Sequence, residues 1–267
     1  MRGVFFLSTV VQTDFAKMPG HWVLAKMGKR VLRPGGIELT QKMLDHLDIS
    51  EDDDVAEFAP GLGVTAKIVL DKKPKSYIAI EQNEEAAKQV YKYLPSNNAR
   101  CIIGNAEDTQ LPSESVDVLY GEAMLTMQSP KQKETIIEEA HRILRKGGRY
   151  GIHELCLNPN DIDEELKNTI RKDLAQVIRV NTKPLTVFEW KSLFENNGFD
   201  VVIIEMRPMH LLEKKRMIQD EGVKGFANIV KNIAVNPEAR KRIEAMQETF
   251  KKYEKYLGAI SIVMEKK

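Results

Sequence analysis

From residue 54 onward the chain alternates short, unbroken apolar runs with longer segments whose apolar residues return every three or four positions. The runs "DVAEFA" (54–59), "SYIAIE" (76–81), "ARCIIGN" (99–105), "VDVLYGEA" (116–123), "RYGIHEL" (149–155) and "DVVIIEM" (200–206) predict six strands, and "GAISIVMEKK" (258–267) a last one. Helices are predicted after the first strand through Leu70, over 83–94, over 131–148 and over 186–199. In the third of these, Ile136, Ile137, Ala140, Ile143 and Leu144 share a face, and Gly147-Gly148 close it. Strands without polar alternation are buried on both faces, and helices between them supply the cover. The pattern therefore predicts a doubly wound α/β fold with a mostly parallel sheet.

Three stretches fall outside this rhythm. Residues 1–50 read as helical around "IELTQKMLDHL", 156–184 as a polar, charged insert, and 213–257 as charged helix. The expected division is an N-terminal helical cap (1–50), a cofactor-binding core (51–212), a helical insert or lid (213–257) and the last core strand (258–267). The two helical additions are expected at the ligand end of the sheet, on opposite sides of the pocket.

The stretch "EFAPGLGVTAKI" (57–68) carries the chemistry. Gly61, Gly63 and Ala66 form a glycine turn between a strand and a helix. Glycines there let a ligand approach the backbone, and the free amides of the following helix attract negative groups. Glu81 ends the second strand, placed to accept hydrogen bonds from two ribose hydroxyls. The turn and Glu81 fit a nicotinamide dinucleotide as well as other adenosine ligands, and a glycine turn also serves purely structural ends.

Four segments together narrow the choice. "VAEFAPGLGVTA", "YIAIEQN", "GNAEDTQLPSESVDVLYGEAML" and "EEAHRILRKGGRYGIHEL" resemble, in order and spacing, the successive motifs of class I S-adenosylmethionine-dependent methyltransferases, over about residues 50 to 210. The small-molecule branch with a generic methyltransferase domain is most similar. Ala59 stands where this family usually has its first glycine, and Pro60 follows. The resemblance implies that Glu57, Ala59, Pro60, Gly61 and Gly63 line the methionine part of S-adenosylmethionine. It implies that Glu81 holds the ribose, that Gln82 borders the adenine, and that Asn105, Ala106 and Glu107 lie at the adenine edge. Glu122 falls near the sulfonium and the methyl acceptor. The family's last strand inserts antiparallel beside the sixth.

Methyl transfer from a sulfonium is an in-line displacement that depends chiefly on holding the acceptor atom on the methyl–sulfur axis. A base is needed only when the acceptor carries a proton. Candidates at the acceptor end are Glu122 and His153, with His153 as general base. His153 and Glu154 are neighbours on a strand and face opposite sides. Met124 and Met127 are expected in the core. His21, Trp22 and Arg30 are candidates for a lid. Lys26, Lys29, Arg30 and Arg33 form either an anion site or, as expected, a solvated helix face.

Composition narrows the partners. Lys plus Arg number 40 against 39 Asp plus Glu, a net charge of +1, so no basic field invites nucleic acid. Asn/Asp-Pro-Pro-Tyr/Phe after the fourth strand and a Pro-Cys motif are both absent, which disfavours nucleic-acid chemistry further. Cys101 and Cys156 have no zinc spacing and read as buried small hydrophobes in a reducing, cytoplasmic setting, with no metal site expected. "MRGVFFLSTVVQTDFA" has the basic residue and apolar run of a signal peptide without a good cleavage pattern, and is expected to pack on the fold. No apolar run approaches the ~20 residues that span a bilayer. The sequence thus points to in-line methylation of a small molecule. The alternatives are an NAD-dependent oxidoreductase and a non-catalytic S-adenosylmethionine-binding protein. Glu57, the Asn105-Ala106-Glu107 segment and the lack of a Tyr-x-x-x-Lys relay weigh against the oxidoreductase.

Overall fold

A computed structural model describes residues 14–95 and 98–267. The signal-like stretch lies largely outside the described residues. The first half of the core alternates β1 (Asp54–Phe58), α3 (Val64–Leu70), β2 (Ser76–Glu81), α4 (Glu84–Val90), β3 (Ala99–Ile103) and β4 (Val116–Glu122). It continues through α5 (Pro130–Ile143), β5 (Leu144–Leu157), the short β6 (Leu185–Thr186), α7 (Val187–Glu195), β7 (Phe199–Pro208) and β8 (Leu257–Lys266). The sheet order is β3-β2-β1-β4-β5-β8-β7, with β6 beside β5. Strands β1 to β6 pair in parallel, and β8 runs antiparallel between β5 and β7. This is the doubly wound architecture, with its antiparallel last strand.

Both faces of the sheet are covered, as the unbroken apolar runs require. Ala56 and Phe58 of β1 pack with Ile136, Ile137, Trp190 and Phe194 from α5 and α7. Val55 faces the other way, with Met43, Leu44 and Val69. Helix α2 (Gly36–His46) lies over β5 and β8 on that second face. Gly151 permits this: a Cβ there would lie 2.7 Å from Leu47 Cδ1. Local signals set the helix starts. Ser129 and Gln132 form a capping box on α5, Thr186 and Glu189 another on α7, and the Asn83 side chain accepts the Ala86 N–H on α4.

The helix expected over 131–148 ends at Ile143 instead. Leu144 already pairs with Val116, and a bulge then realigns the strands so that Val118 meets Arg149. Strand pairing outweighs helix periodicity where the apolar face of Leu144 is buried either way. The helix expected over 83–94 likewise closes at Val90.

The segments outside the core gather into one cap. The 156–184 insert carries α6 (Glu164–Ile178), started by Asp163, whose side chain accepts the Leu166 N–H. Helix α1 (Gly20–Lys26) packs on α9 (Pro237–Lys252), and α6 packs on α9 as well. Val23, Leu24 and Met27 meet Ala239, Ile243 and Met246 there. Helix α8 (Lys214–Val235) is broken at Gly222, with φ 73°. Just before the break, Asp220 and Glu221 hold the loop between α1 and α2. Lys29 Nζ lies 3.2 Å from Asp220 with both side chains fully buried, and Glu221 accepts the Arg30 and Val31 amides at 2.7 and 2.8 Å. The two expected caps therefore touch each other. Lys29 is no part of a solvated helix face: with Arg30, whose Nε lies 3.1 Å from Glu221, it pairs with a buried acidic pair contributed by α8. Among the described residues, no helix is long and apolar enough to cross a membrane.

Candidate active site

The carboxyl end of β1 turns through Ala59, Pro60, Gly61 and Leu62 into α3. Ala59 (φ 52°), Gly61 (φ 56°) and Gly63 (φ 73°) all take left-handed backbone conformations. A Cβ added at Gly61 would meet no neighbour nearer than 4.0 Å, so that face of the turn opens into free space. The Gly61 N–H donates to Glu81 Oε2 at 3.0 Å, and the Asn83 N–H donates to Glu81 Oε1 at 2.9 Å. The Glu81 carboxylate is thus fixed by one amide on each oxygen, and each oxygen keeps capacity for a further donor.

Glu57 borders the same space, but its carboxyl accepts the Tyr77 and Tyr120 hydroxyls, the latter at 2.7 Å. Burial pushes its pKa up to about 8, against the lowering effect of the two hydrogen bonds. Glu57 is therefore a neutral acid at neutral pH, tying β1 to β2 and β4.

Glu122, at the end of β4, is the opposite case. Thr40 Oγ1 donates to its Oε1 at 2.5 Å, Thr65 Oγ1 donates to its Oε2, and Arg33 Nε lies 3.1 Å away. His153 Nδ1 lies 3.0 Å from Oε1. Burial raises the carboxyl's pKa, but the charge of Arg33, the His153 contact and Thr40 outweigh it and bring it to about 2. The result is an ionised carboxylate on the cavity floor, clamped by residues from α2, α3, β5 and the loop before α2.

One cavity of about 490 Å³ joins these parts. Glu57, Ala59, Pro60, Gly61, Glu81, Gln82 and Glu122 all line it. Gly63, Asn105, Ala106, Glu107 and His153 do not. Gly63 starts α3 with a Cβ position 3.0 Å from Tyr93. Asn105 and Glu107 bond locally: Asn105 Oδ1 accepts the Glu107 N–H, and Glu107 Oε1 accepts from Gln132.

His153 is fully buried, and both its ring nitrogens face accepting oxygens: Glu122 Oε1 on one side and the Pro34 carbonyl at 2.5 Å on the other. Thr40 Oγ1 also lies 3.2 Å from Nδ1, so the ring is enclosed by protein partners and does not line the cavity. The placement does not match the general base expected from the sequence. Strand alternation sends His153 toward α2 and Glu154 toward the cavity. Glu154 accepts the amides of Met124, Leu125 and Thr126 at 2.9, 2.7 and 3.1 Å, and so holds the loop after β4 in place.

The far end of the cavity is apolar and belongs to the cap. Trp22, Leu24 and Leu32 come from the N-terminal segment, Ile178 ends α6 and Val180 follows it, Met209 and Leu211 follow β7, and Met246 and Phe250 belong to α9. Met124 belongs to the core, as expected, and also reaches the wall, whereas Met127 is only partly buried and lines the cavity. His21, Trp22, Arg30 and Arg33 also line it, whereas among the described residues none from α8 does. Burial holds the His21 imidazole at a pKa of about 4, so it is neutral at neutral pH. The wall residues after α6 and on α9 were missed in the sequence. Their only signal was the apolar spacing Ala239, Ile243, Met246, Phe250, which looks the same whether it faces a core or a ligand.

Residues 56–152 match the family model described as a methyltransferase domain. The chain is 33% identical over 252 residues to an uncharacterized protein of Haemophilus influenzae, covering 92% of this chain and 98% of that one. It is 21% identical over 196 residues to a phosphoethanolamine N-methyltransferase of Plasmodium falciparum, covering 70% of this chain and 73% of that one. Phosphoethanolamine N-methyltransferase 2 of Haemonchus contortus, solved with phosphomonomethylethanolamine and S-adenosylhomocysteine, superposes with a TM-score of 0.68 at 11% identity, over 96% of this chain and 59% of that one. The free space over the Gly61 turn and the open lone pairs of Glu81 fit an adenosine cofactor with a methionine tail. The chain belongs to the class I S-adenosylmethionine-dependent methyltransferases, and S-adenosylmethionine is its cofactor.

Proposed function

We propose that the protein methylates a small, largely apolar molecule enclosed beneath the cap. The observation that carries this reading is the continuity of one cavity from the Gly61 turn and Glu81 to the chamber walled by Trp22, Met124, Met246 and Phe250. A concave pocket with an apolar wall and a limited set of polar groups suits a small ligand. The net charge of +1 gives no support to a nucleic-acid acceptor. The Plasmodium falciparum relative is named for phosphoethanolamine, which supports a small acceptor though not an apolar one. The two free thiols, Cys101 and Cys156, support a cytoplasmic setting.

When bound, the cofactor supplies an electrophilic methyl group on a sulfonium. In this reading Glu81 accepts the ribose hydroxyls, Gln82 borders the adenine, and Ala59, Pro60 and Gly61 run along the methionine part. Asn105, Ala106 and Glu107 contribute to the adenine edge from behind the wall. The ionised Glu122 lies on the cavity floor and favours positive charge near it. The cap orients the acceptor and excludes water, which is most of what an in-line displacement needs. His153 acts as a positioning residue that fixes Glu122. Where the acceptor carries a proton, His21 lines the cavity, but burial disfavours its charged form and makes it a weak base.

The test is release of S-adenosylhomocysteine against panels of small amines, thiols, phenols and carboxylates, alongside protein and RNA. Turnover with at least one small molecule is expected. Turnover only with a macromolecule would reject the acceptor class, and cofactor binding without any turnover would favour the non-catalytic reading.

A further inference from the structure

On the outer side of the cap lies a second cavity, of about 370 Å³, that the methyl-transfer site does not use. His210, Glu213 and Glu254 all line it. His210 and Glu213 sit in the turn between β7 and α8, where the Glu213 N–H donates to the His210 carbonyl at 3.1 Å. Glu254 follows the last turn of α9. His210 Nε2 lies 3.3 Å from Glu213 Oε1 and 3.5 Å from Glu254 Oε1, and the three ligand atoms all fall within 4.8 Å of one another.

Those separations carry the argument. Zinc bonds to imidazole nitrogen and carboxylate oxygen are about 2.0–2.2 Å, so two ligands on a tetrahedral zinc stand roughly 3.3–3.5 Å apart. Both measured nitrogen–oxygen separations match that edge. The two carboxylates carry a charge of about −2, which a divalent ion bound by them offsets in competition with Lys251 on the same cavity wall. The cavity beside the three groups leaves a fourth position open to water.

We propose that His210, Glu213 and Glu254 form a zinc-class metal site that fastens the β7–α8 turn to the end of α9. The site has a consequence for the main cavity. Met209 and Leu211 flank His210 in sequence, and Phe250 lies one turn before Glu254. All three residues line both cavities. A metal here fixes two walls of the acceptor chamber relative to each other without touching the cofactor.

Chelator-treated protein titrated with zinc chloride in a calorimeter tests this. One zinc per chain is expected, together with a rise in melting temperature on zinc addition. His210→Asn and Glu254→Gln are each expected to weaken zinc binding by more than about 10-fold and to abolish the thermal shift. Both residues are partly exposed, so the variants should fold, and circular dichroism without metal checks that. Cobalt substitution should give the intense visible bands of a tetrahedral ion in wild type only. Failure of wild type to take up zinc, uptake unchanged in both variants, or binding of calcium or magnesium in preference to zinc would each overturn the proposal.

Discussion

Replacing Glu57 with Gln should make the protein more stable in alkali. The Glu57 carboxyl is 3% exposed and has two tyrosine hydroxyls as donors, with its pKa raised by burial from 4.5 to about 8. The folded protein therefore holds this proton more tightly than the unfolded chain does. The resulting stabilisation is fully present below pH 4.5 and is lost as pH rises through about 8. At ~1.4 kcal/mol per pH unit, the whole window amounts to roughly 5 kcal/mol. Reorientation of Tyr77 and Tyr120 toward the ionised form reduces that, so a change of about 2–5 kcal/mol is expected. Gln keeps an accepting oxygen for the tyrosines and never ionises. Urea unfolding of wild type and Glu57→Gln from about pH 5 to about pH 9 measures the difference. The variant should gain on wild type steadily across the window. Glu122 does not interfere, because its pKa, lowered to about 2, puts its own loss of stabilisation below pH 4.5. A difference between variant and wild type that stays constant with pH would show that Glu57 is ionised in the fold, and the account of β1 given above would fail.

Glu81→Ala should weaken S-adenosylmethionine binding by about 1.5–3 kcal/mol, as for a lost hydrogen bond to a charged group, and calorimetry giving an unchanged dissociation constant would remove Glu81 from the ribose. His153→Ala should cost about 2–4 kcal/mol of stability by removing the buried ring that bridges Glu122 and the Pro34 carbonyl. It should leave the shape of the pH–rate profile unchanged; a stable variant that loses the acidic limb would restore His153 as the base. Lys29→Met should destabilise the protein by about 3–5 kcal/mol, because Asp220 is left buried without its cation while Glu221 keeps Arg30. Combining it with Asp220→Leu should recover much of that loss, and a double variant as unstable as the single one would contradict the buried pairing.

The sequence was most legible where the physics is local. Unbroken runs such as "SYIAIE" become strands because their side chains can be buried on both faces only inside a sheet. The Gly61 turn was visible because left-handed backbone and close ligand approach both select glycine. Helix boundaries were less legible: Leu144 fits the apolar face of α5 as well as it fits β5, and only its pairing with Val116 decides. The role of His153 was illegible for a different reason. Alternation told that His153 and Glu154 face opposite ways, but not which face holds the cavity. That depends on α2 covering one side of β5, through Gly151, and on the Pro34 carbonyl reaching the ring. The same holds for Lys29, whose partners Asp220 and Glu221 lie about 190 residues away in the chain. A run of basic residues looks like a solvated face until a distant acid claims one of them. In the proposed reading, then, the cofactor half of the cavity is written in short motifs, and the acceptor half in long-range pairings that bring α1, α6 and α9 together. Because the acceptor wall is assembled from segments outside the motifs, it can change without disturbing the cofactor turn. Acceptor choice in this protein is therefore best altered at Trp22, Met246 and Phe250, none of which belongs to a motif.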